Sequence, residues 1–291
     1  HPVALPADPD GNRWRKELYH CLPAADLHPA RSGENDQRQR RQFRHQVANA
    51  VRAWLTAIAM AWAGLAQAGA ATVAVATNFK VPAERLIELF QSRHSAHHIR
   101  LVSGSTGKLY TQIVHGAPFD VFMAADAERP MLLEKQGLVA RDSRRTYALG
   151  QLALVGRESA DADTLVKGNF KSLAMANPRL APYGLAAQQT LQHLQVHLSD
   201  SIKVVYGENV GQAYAMLISG NAEVALVARS LLDSTADAWL VPDNHHAPIR
   251  QQLVLLPRAA ENAAALDFIA FLKSDDAAAL IQSFGYLAAA S

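Results

Sequence analysis

The run Val102-Ser103-Gly104-Ser105-Thr106-Gly107-Lys108-Leu109-Tyr110 combines small residues, hydroxyls and a turn that leads straight into an apolar-periodic segment. Ile99 to Val102 reads as the end of a buried strand. Lys108 to Val114 reads as a helix whose first turn leaves backbone N–H groups without intrahelical partners. Glycines at 104 and 107 allow close approach of the backbone to a ligand, and Ser103, Ser105 and Thr106 add donors that carry no charge. The chemistry this pattern suits is the holding of an anion at a helix start. An ordinary capped strand-to-helix turn fits the same residues equally well. A nucleotide P-loop does not fit, because Gly104-x-x-Gly107-Lys108-Leu109 is too short for that motif and lacks its magnesium-binding hydroxyl.

Other residue types with chemical potential read as structural. Asp120 and Asp126 stand at opposite ends of an apolar run, too far apart to work on one substrate, and are expected to be solvated caps. The chain holds 12 histidines, among them His94, His97, His98 and the pair His245-His246. No cysteine or acidic residue completes a metal-ligand spacing with them, so they are expected at the surface. Ser105 and Thr106 have neither a G-x-S-x-G elbow nor a partnered histidine and are not nucleophiles. Lys108, in the first turn of its helix, is expected to point to solvent.

The elements that must position these groups follow from composition and pattern. With 291 residues, 49% hydrophobic and 19% charged, the chain can bury one large core or two smaller ones. A formal charge of +2, without a basic stripe interleaved with aromatics, argues against nucleic acid as a partner. Residues 1–45 are rich in Pro, Asp, Arg and Gln without apolar periodicity and read as a disordered extension. The basic patch Arg38 to Arg44, the apolar stretch Val51 to Leu65 and the small residues Ala66 to Ala70 read as a cleavable signal peptide over 46–70, with cleavage after Ala68 or Ala70. Cys21 is the sole cysteine and precedes the cleavage point, which suits a periplasmic location without disulfides.

From Ala71 onward short apolar strands alternate with amphipathic helices, the signature of an α/β fold with parallel sheets. Two strands, around 147–156 and 249–256, are long enough to leave one α/β unit and return to another. Lobe one is therefore expected over 71–150 plus 253–291, and lobe two over 151–252. In such sheets ligands bind beyond the carboxyl ends of strands. Thr77 and Asn78, the 103–107 loop, the Asn177 to Gly184 loop and Gly207 to Val210 all fall at such ends.

These segments resemble the periplasmic molybdate-binding proteins of ABC importers, a family of two-lobed solute-binding proteins. The resemblance is carried by Ala76-Thr77-Asn78-Phe79, Ser103 to Gly107, Gly116 to Val121, Ala124 with Asp126, Asn177-Pro178 with Ala181-Pro182-Tyr183-Gly184, Gly207-Glu208-Asn209-Val210 and Ser219 to Ala222. It implies molybdate or tungstate held between lobes by Thr77, Asn78, Ser105, Thr106, Tyr183 and Val210. It also implies a monomer without a cofactor, delivering its ion to an inner-membrane ABC permease. Many members carry a tyrosine after the last strand of lobe two; here Ala228 and Arg229 stand in its place. A receptor for sulfate or phosphate, or a two-lobed periplasmic hydrolase, is the alternative.

Overall fold

The computed structural model of the protein describes residues 69–288. The extension expected over 1–45 lies outside these residues. So does the expected signal peptide, apart from Gly69 and Ala70, which already pair with His97 and His98 in a sheet.

In chain order the elements are β1 (Gly69–Ala76), a 3₁₀ turn (Thr77–Phe79), α1 (Lys80–Arg93), β2 (His97–Gly104), α2 (Thr106–Val114), β3 (Val121–Met123), α3 (Glu128–Lys135) and β4 (Arg145–Gly150). Then follow β5 (Leu152–Gly156), α4 (Ala162–Lys167), β6 (Ser172–Ala176), α5 (Pro182–His193), β7 (Lys203–Gly207), α6 (Val210–Ile218), β8 (Val224–Ala228) and β9 (Ala238–Leu240). The return strand β10 (Ile249–Leu255) and helices α7 (Ala263–Phe271) and α8 (Asp275–Ser283) complete the order.

The strands form two five-stranded sheets, ordered β2-β1-β3-β10-β4 and β7-β6-β8-β5-β9. The wiring is the same in both: a first strand flanked by its two parallel successors, then a strand that has arrived from the other lobe. Those arrivals run antiparallel, β10 against β3 and β4, and β5 against β8 and β9. The sheets are therefore mixed, not all parallel, because a strand entering from the opposite lobe runs against the crossover strands. The single long strand expected at 147–156 is divided at Gln151, with β4 in sheet one and β5 in sheet two. All of β10 belongs to sheet one, so the chain has returned by Ile249, before the expected 253. Helix α4 and strand β9 carried no periodic signal; α4 is held by the reciprocal capping of Asp161 and Thr164.

Burial on both faces explains why β1 reads Gly-Ala-Ala-Thr-Val-Ala-Val-Ala. Val73 and Val75 pack against Phe79, Leu86, Phe90 and Phe268, while Ala74 on the opposite face meets Leu109, Ile113, Phe122 and Leu133. Lobe two has its own core around Leu154, Leu173, Leu226 and Leu165.

Two expectations about polar residues change. Asp120 is 5% exposed, not a solvated cap. It accepts from the Thr72 N–H at 2.7 Å and donates its own N–H to the Thr72 carbonyl at 2.8 Å, pinning β3 to β1. Nor are all the histidines at the surface. His97 is 8% exposed and lies 2.9 Å from an Asp267 oxygen, and His246 is 9% exposed; beside it His245 stacks on the exposed His193 with ring centroids 4.2 Å apart.

Partial burial, and then the neighbours His193 and His246, hold the His245 imidazole below its ordinary value. A base with a depressed native pKa binds fewer protons folded than unfolded, so stability is retained above the ordinary histidine range and lost as pH falls through it. The unfolding midpoint is expected to drop between pH 7 and pH 5, and His245→Gln to flatten that drop; an unchanged slope in the variant would assign the pH dependence elsewhere.

Candidate functional site

Four segments begin at one place between the lobes. A small cavity there, about 10 Å³, is lined by Ala76, Thr77 and Asn78, by Gly104, Ser105, Thr106 and Ala125, by Ala181, Pro182 and Tyr183, and by Asn209 and Val210. All six of the sequence-predicted site residues are in that wall. They represent the 3₁₀ turn leading into α1, the N-cap and first residue of α2, the start of α5, and the first residue of α6. The space is far below the roughly 300 Å³ at which pockets for organic ligands begin. A larger hollow, about 680 Å³ around Leu191 and Tyr206, is lined by residues of lobe two and by none of these site residues.

Hydrogen-bond accounting shows what the wall offers. In α2, the Gly107 N–H goes to the Leu180 carbonyl and the Lys108 N–H to Ser105 Oγ, leaving that of Thr106. In α6, the Gln212 N–H goes to Asn209 Oδ1 and the Ala213 N–H to the Asn209 carbonyl, leaving Val210 and Gly211. In α5, Pro182 has no N–H and Gly184 donates to the Ala181 carbonyl, leaving Tyr183. In the 3₁₀ turn the Lys80 N–H takes the Thr77 carbonyl, and the Asn78 N–H has no acceptor in its own turn. The hydroxyls are prepared in the same sense. Ser105 Oγ accepts from Lys108 N–H, and Thr106 Oγ1 accepts from Ala125 N–H at 3.1 Å, so each keeps its proton for a further acceptor.

No Asp, Glu, Lys, Arg or His side chain is among the lining residues. Helix starts carry partial positive charge, so the cavity favours an anion built of acceptor atoms. Cations find no carboxylate there, and the hydroxyls have no base beside them to turn them into nucleophiles.

The side chains of Asn78 and Tyr183 are engaged by Gln251 behind the cavity. Asn78 is 1% exposed, and its amide nitrogen donates to Gln251 Oε1 and Tyr286 Oη, each at 2.9 Å. The Tyr183 hydroxyl is equally buried and accepts from Gln251 Nε2 at 3.1 Å. Burial raises the Tyr183, Tyr147 and Tyr286 pKa values, so all three phenols stay neutral. Both residues can present a backbone N–H to the cavity.

Contacts across the cleft surround the cavity. Gly107 N–H reaches the Leu180 carbonyl at 2.9 Å, Arg129 Nη2 the Arg179 carbonyl at 3.0 Å, and Ser230 Oγ the Asn78 carbonyl at 3.0 Å. Lys108 does not simply enter solvent: its Nζ lies 2.5 Å from Glu208 of the opposite lobe, with both side chains about half exposed. A pair that exposed adds little stability, but it satisfies the lysine away from the cavity. Burial pushes the Asp126 carboxyl up, against the pull of its ion pair with Arg129.

Sequence reasoning missed Gln251, Ser230, Tyr286, Tyr147 and Arg129. Gln251 had a signal, a polar residue inside an apolar strand. Tyr286 had none, since it reaches Asn78 across 208 positions of sequence. At Ala228, where a tyrosine was expected from the resemblance, the side chain is buried in β8, and Arg229 turns back to the Leu232 and Asp233 carbonyls.

Known proteins share this architecture. The molybdate-binding protein ModA of Rhodobacter capsulatus is 38% identical over 249 residues, covering 83% of this chain and 98% of that protein. Its counterpart in Azotobacter vinelandii is 38% identical over 230 residues, covering 76% and 91%. The structure of the Azotobacter vinelandii periplasmic molybdate-binding protein superposes with a TM-score of 0.71 at 35% identity, over 76% of this chain and 100% of that one. The profile of the bacterial extracellular solute-binding proteins matches residues 71–287, the same span that builds both lobes and the cavity, and the chain belongs to that family.

Proposed function

We propose that this protein is an exported receptor that holds molybdate or tungstate between its lobes and presents it to an ABC permease of the inner membrane. The observation that carries the reading is the meeting of four segment starts around a cavity with no charged side chain in its wall. A tetrahedral dianion leaving water must recover a large hydration energy. Hydrogen bonds to charged groups return about 1.5–3 kcal/mol each, so several fixed donors are needed. Ser105 and Thr106 supply hydroxyls; Thr77 stands beside them; Asn78, Tyr183 and Val210 supply peptide N–H groups. The wall has no carboxylate to accept a proton from a ligand, so a fully deprotonated oxyanion is preferred over hydrogen phosphate. Relatives named for molybdate at 38% identity support the same ion.

The signal-like segment before Gly69 supports export. Cleavage after Ala68 leaves β1 whole, whereas cleavage after Ala70 removes two residues of its pairing with β2. A monomer suffices, because both halves of the cage come from one chain.

A thermal unfolding scan tests the ligand. At 1,000 times its dissociation constant a ligand stabilises the folded state by about 4.1 kcal/mol. Molybdate is expected to raise the unfolding midpoint, with sulfate at the same concentration leaving it in place. Equal shifts from the two ions would remove the selectivity, and no shift from either would remove the oxyanion reading.

A further inference from the structure

We infer that Gln251, acting together with Tyr286 and Ser230, is a positioning residue that sets anion affinity by locking the two halves of the cage to each other from behind. The inference rests on the oxyanion reading of the cavity and adds to it residues that line no part of the wall.

Asn78 is held from three directions. Its amide donates to Tyr286 Oη, Tyr286 Oη lies 2.9 Å from Ser230 Oγ, and Ser230 Oγ lies 3.0 Å from the Asn78 carbonyl. Tyr286 Oη also lies 2.9 Å from the Asn78 carbonyl, so its single proton goes to Ser230 Oγ or to that carbonyl; Asn78 Nδ2–H donates to Tyr286, and the three residues close a ring in either case. The second amide proton of Asn78 goes to Gln251 Oε1, and Gln251 Nε2 continues to Tyr183 Oη. Asn78 belongs to lobe one and Tyr183 and Ser230 to lobe two. Among the described residues Gln251 is the one side chain that bonds both Asn78 and Tyr183, which line the cavity from the two lobes.

The fold is shaped to put Gln251 there. β10 shifts register between Gln251 and Gln252, and both consecutive glutamines are buried, at 0% and 7% exposure. Gln251 stands opposite Ala148 and Gln252 opposite Thr146, so the extra residue of the bulge is Tyr147 on β4, whose hydroxyl donates to Gln251 Oε1 at 2.9 Å. Gln252 serves lobe one alone, through Arg144 and Thr146. Gly150 makes room: a Cβ there would lie 2.2 Å from Tyr183 Oη and 2.8 Å from Gln251 Nε2. Gly285, with φ +79, turns the chain after α8 so that Leu287 pairs with Leu149 and Tyr286 points inward.

Outer partners that orient binding groups commonly change affinity by 10- to 100-fold when removed. Gln251→Leu and Tyr286→Phe are each expected to weaken molybdate binding about tenfold or more by calorimetric titration, chiefly through faster release. The double variant is expected to fall short of the product of the single effects, because both act through Asn78.

A purely structural role would lower the unfolding midpoint of the unliganded protein while leaving the affinity of the folded fraction unchanged, and that result overturns the inference. Should Gln251→Leu not fold, Tyr286→Phe removes one oxygen and decides by itself. Molybdate, tungstate and sulfate are titrated into the unaltered protein first. If none binds, the oxyanion reading falls and this inference with it; if molybdate binds and the variants match the unaltered protein, only the inference falls.

Discussion

Alanine at both Ser105 and Thr106 is expected to weaken molybdate binding by about 150- to 20,000-fold, the loss of two hydrogen bonds to a charged ligand at about 1.5–3 kcal/mol each. The two hydroxyls are the side-chain donors best prepared for an anion, since each already accepts a backbone N–H and has only its proton to give. The same bonds mean that the unliganded protein will also suffer. Ser105 caps α2, worth roughly 0.5–2 kcal/mol, and Thr106 satisfies the Ala125 N–H across 19 positions of sequence. Binding must therefore be measured by titration at a temperature where the variant is folded. Thr106→Ser separates the effects: it keeps the hydroxyl and is expected to keep most of the affinity. A folded double variant that binds within about threefold of the unaltered protein would place the ion elsewhere.

Val210→Pro is expected to cost about 10- to 150-fold in affinity, one charged hydrogen bond, with helix α6 intact. Proline is well tolerated at a first helical position because that N–H has no intrahelical acceptor. Asn209, at φ −146 and ψ 169, already has the extended backbone that a residue before proline requires. Its caps on Gln212 and Ala213 remain. Val210→Ala is the control: it removes buried methyl groups and some stability but keeps the N–H, so its affinity is expected to stay near that of the unaltered protein. If the two variants bind equally well, the backbone donor at 210 has no part in the cage.

The pairing of these two tests reflects how the site is made. Its donors are of two kinds, hydroxyls whose identity matters and peptide groups whose side chains do not. Tyr183 shows the difference most plainly. Its ring and hydroxyl are committed to Gln251 and to the space above Gly150, yet its peptide lies at the start of α5 beside the cavity. The phenol belongs to the joint between lobes, and in the proposed cage the N–H serves the ion.

Much of this arrangement is written in local sequence. The small-residue loop Ser103 to Gly107 and the Gly207-Glu208-Asn209 turn are short-range signals, because capping and turn formation depend on residues within three or four positions. Those signals were enough to put the four segments that hold the six candidate residues beyond strand ends, and the alternation of strand and helix was enough for the α/β class; the choice of the six came from the family resemblance, and the 177–184 stretch read as a loop although its helix begins at Pro182. What they could not reveal was direction and partnership. The antiparallel arrival of β5 and β10, the burial of Asp120 against β1, the Lys108 to Glu208 pair across the cleft and the ring through Asn78, Tyr286 and Ser230 all join residues far apart in sequence. The sequence by itself determined which segments begin with free donors; only the tertiary structure decided that these beginnings meet at one cavity, and that the side chains of Asn78 and Tyr183 are engaged by Gln251 behind it. The physical reason is that a helix start is satisfied or left open by its immediate neighbours, whereas a buried amide or phenol takes whichever partner the folded chain brings within about 3 Å.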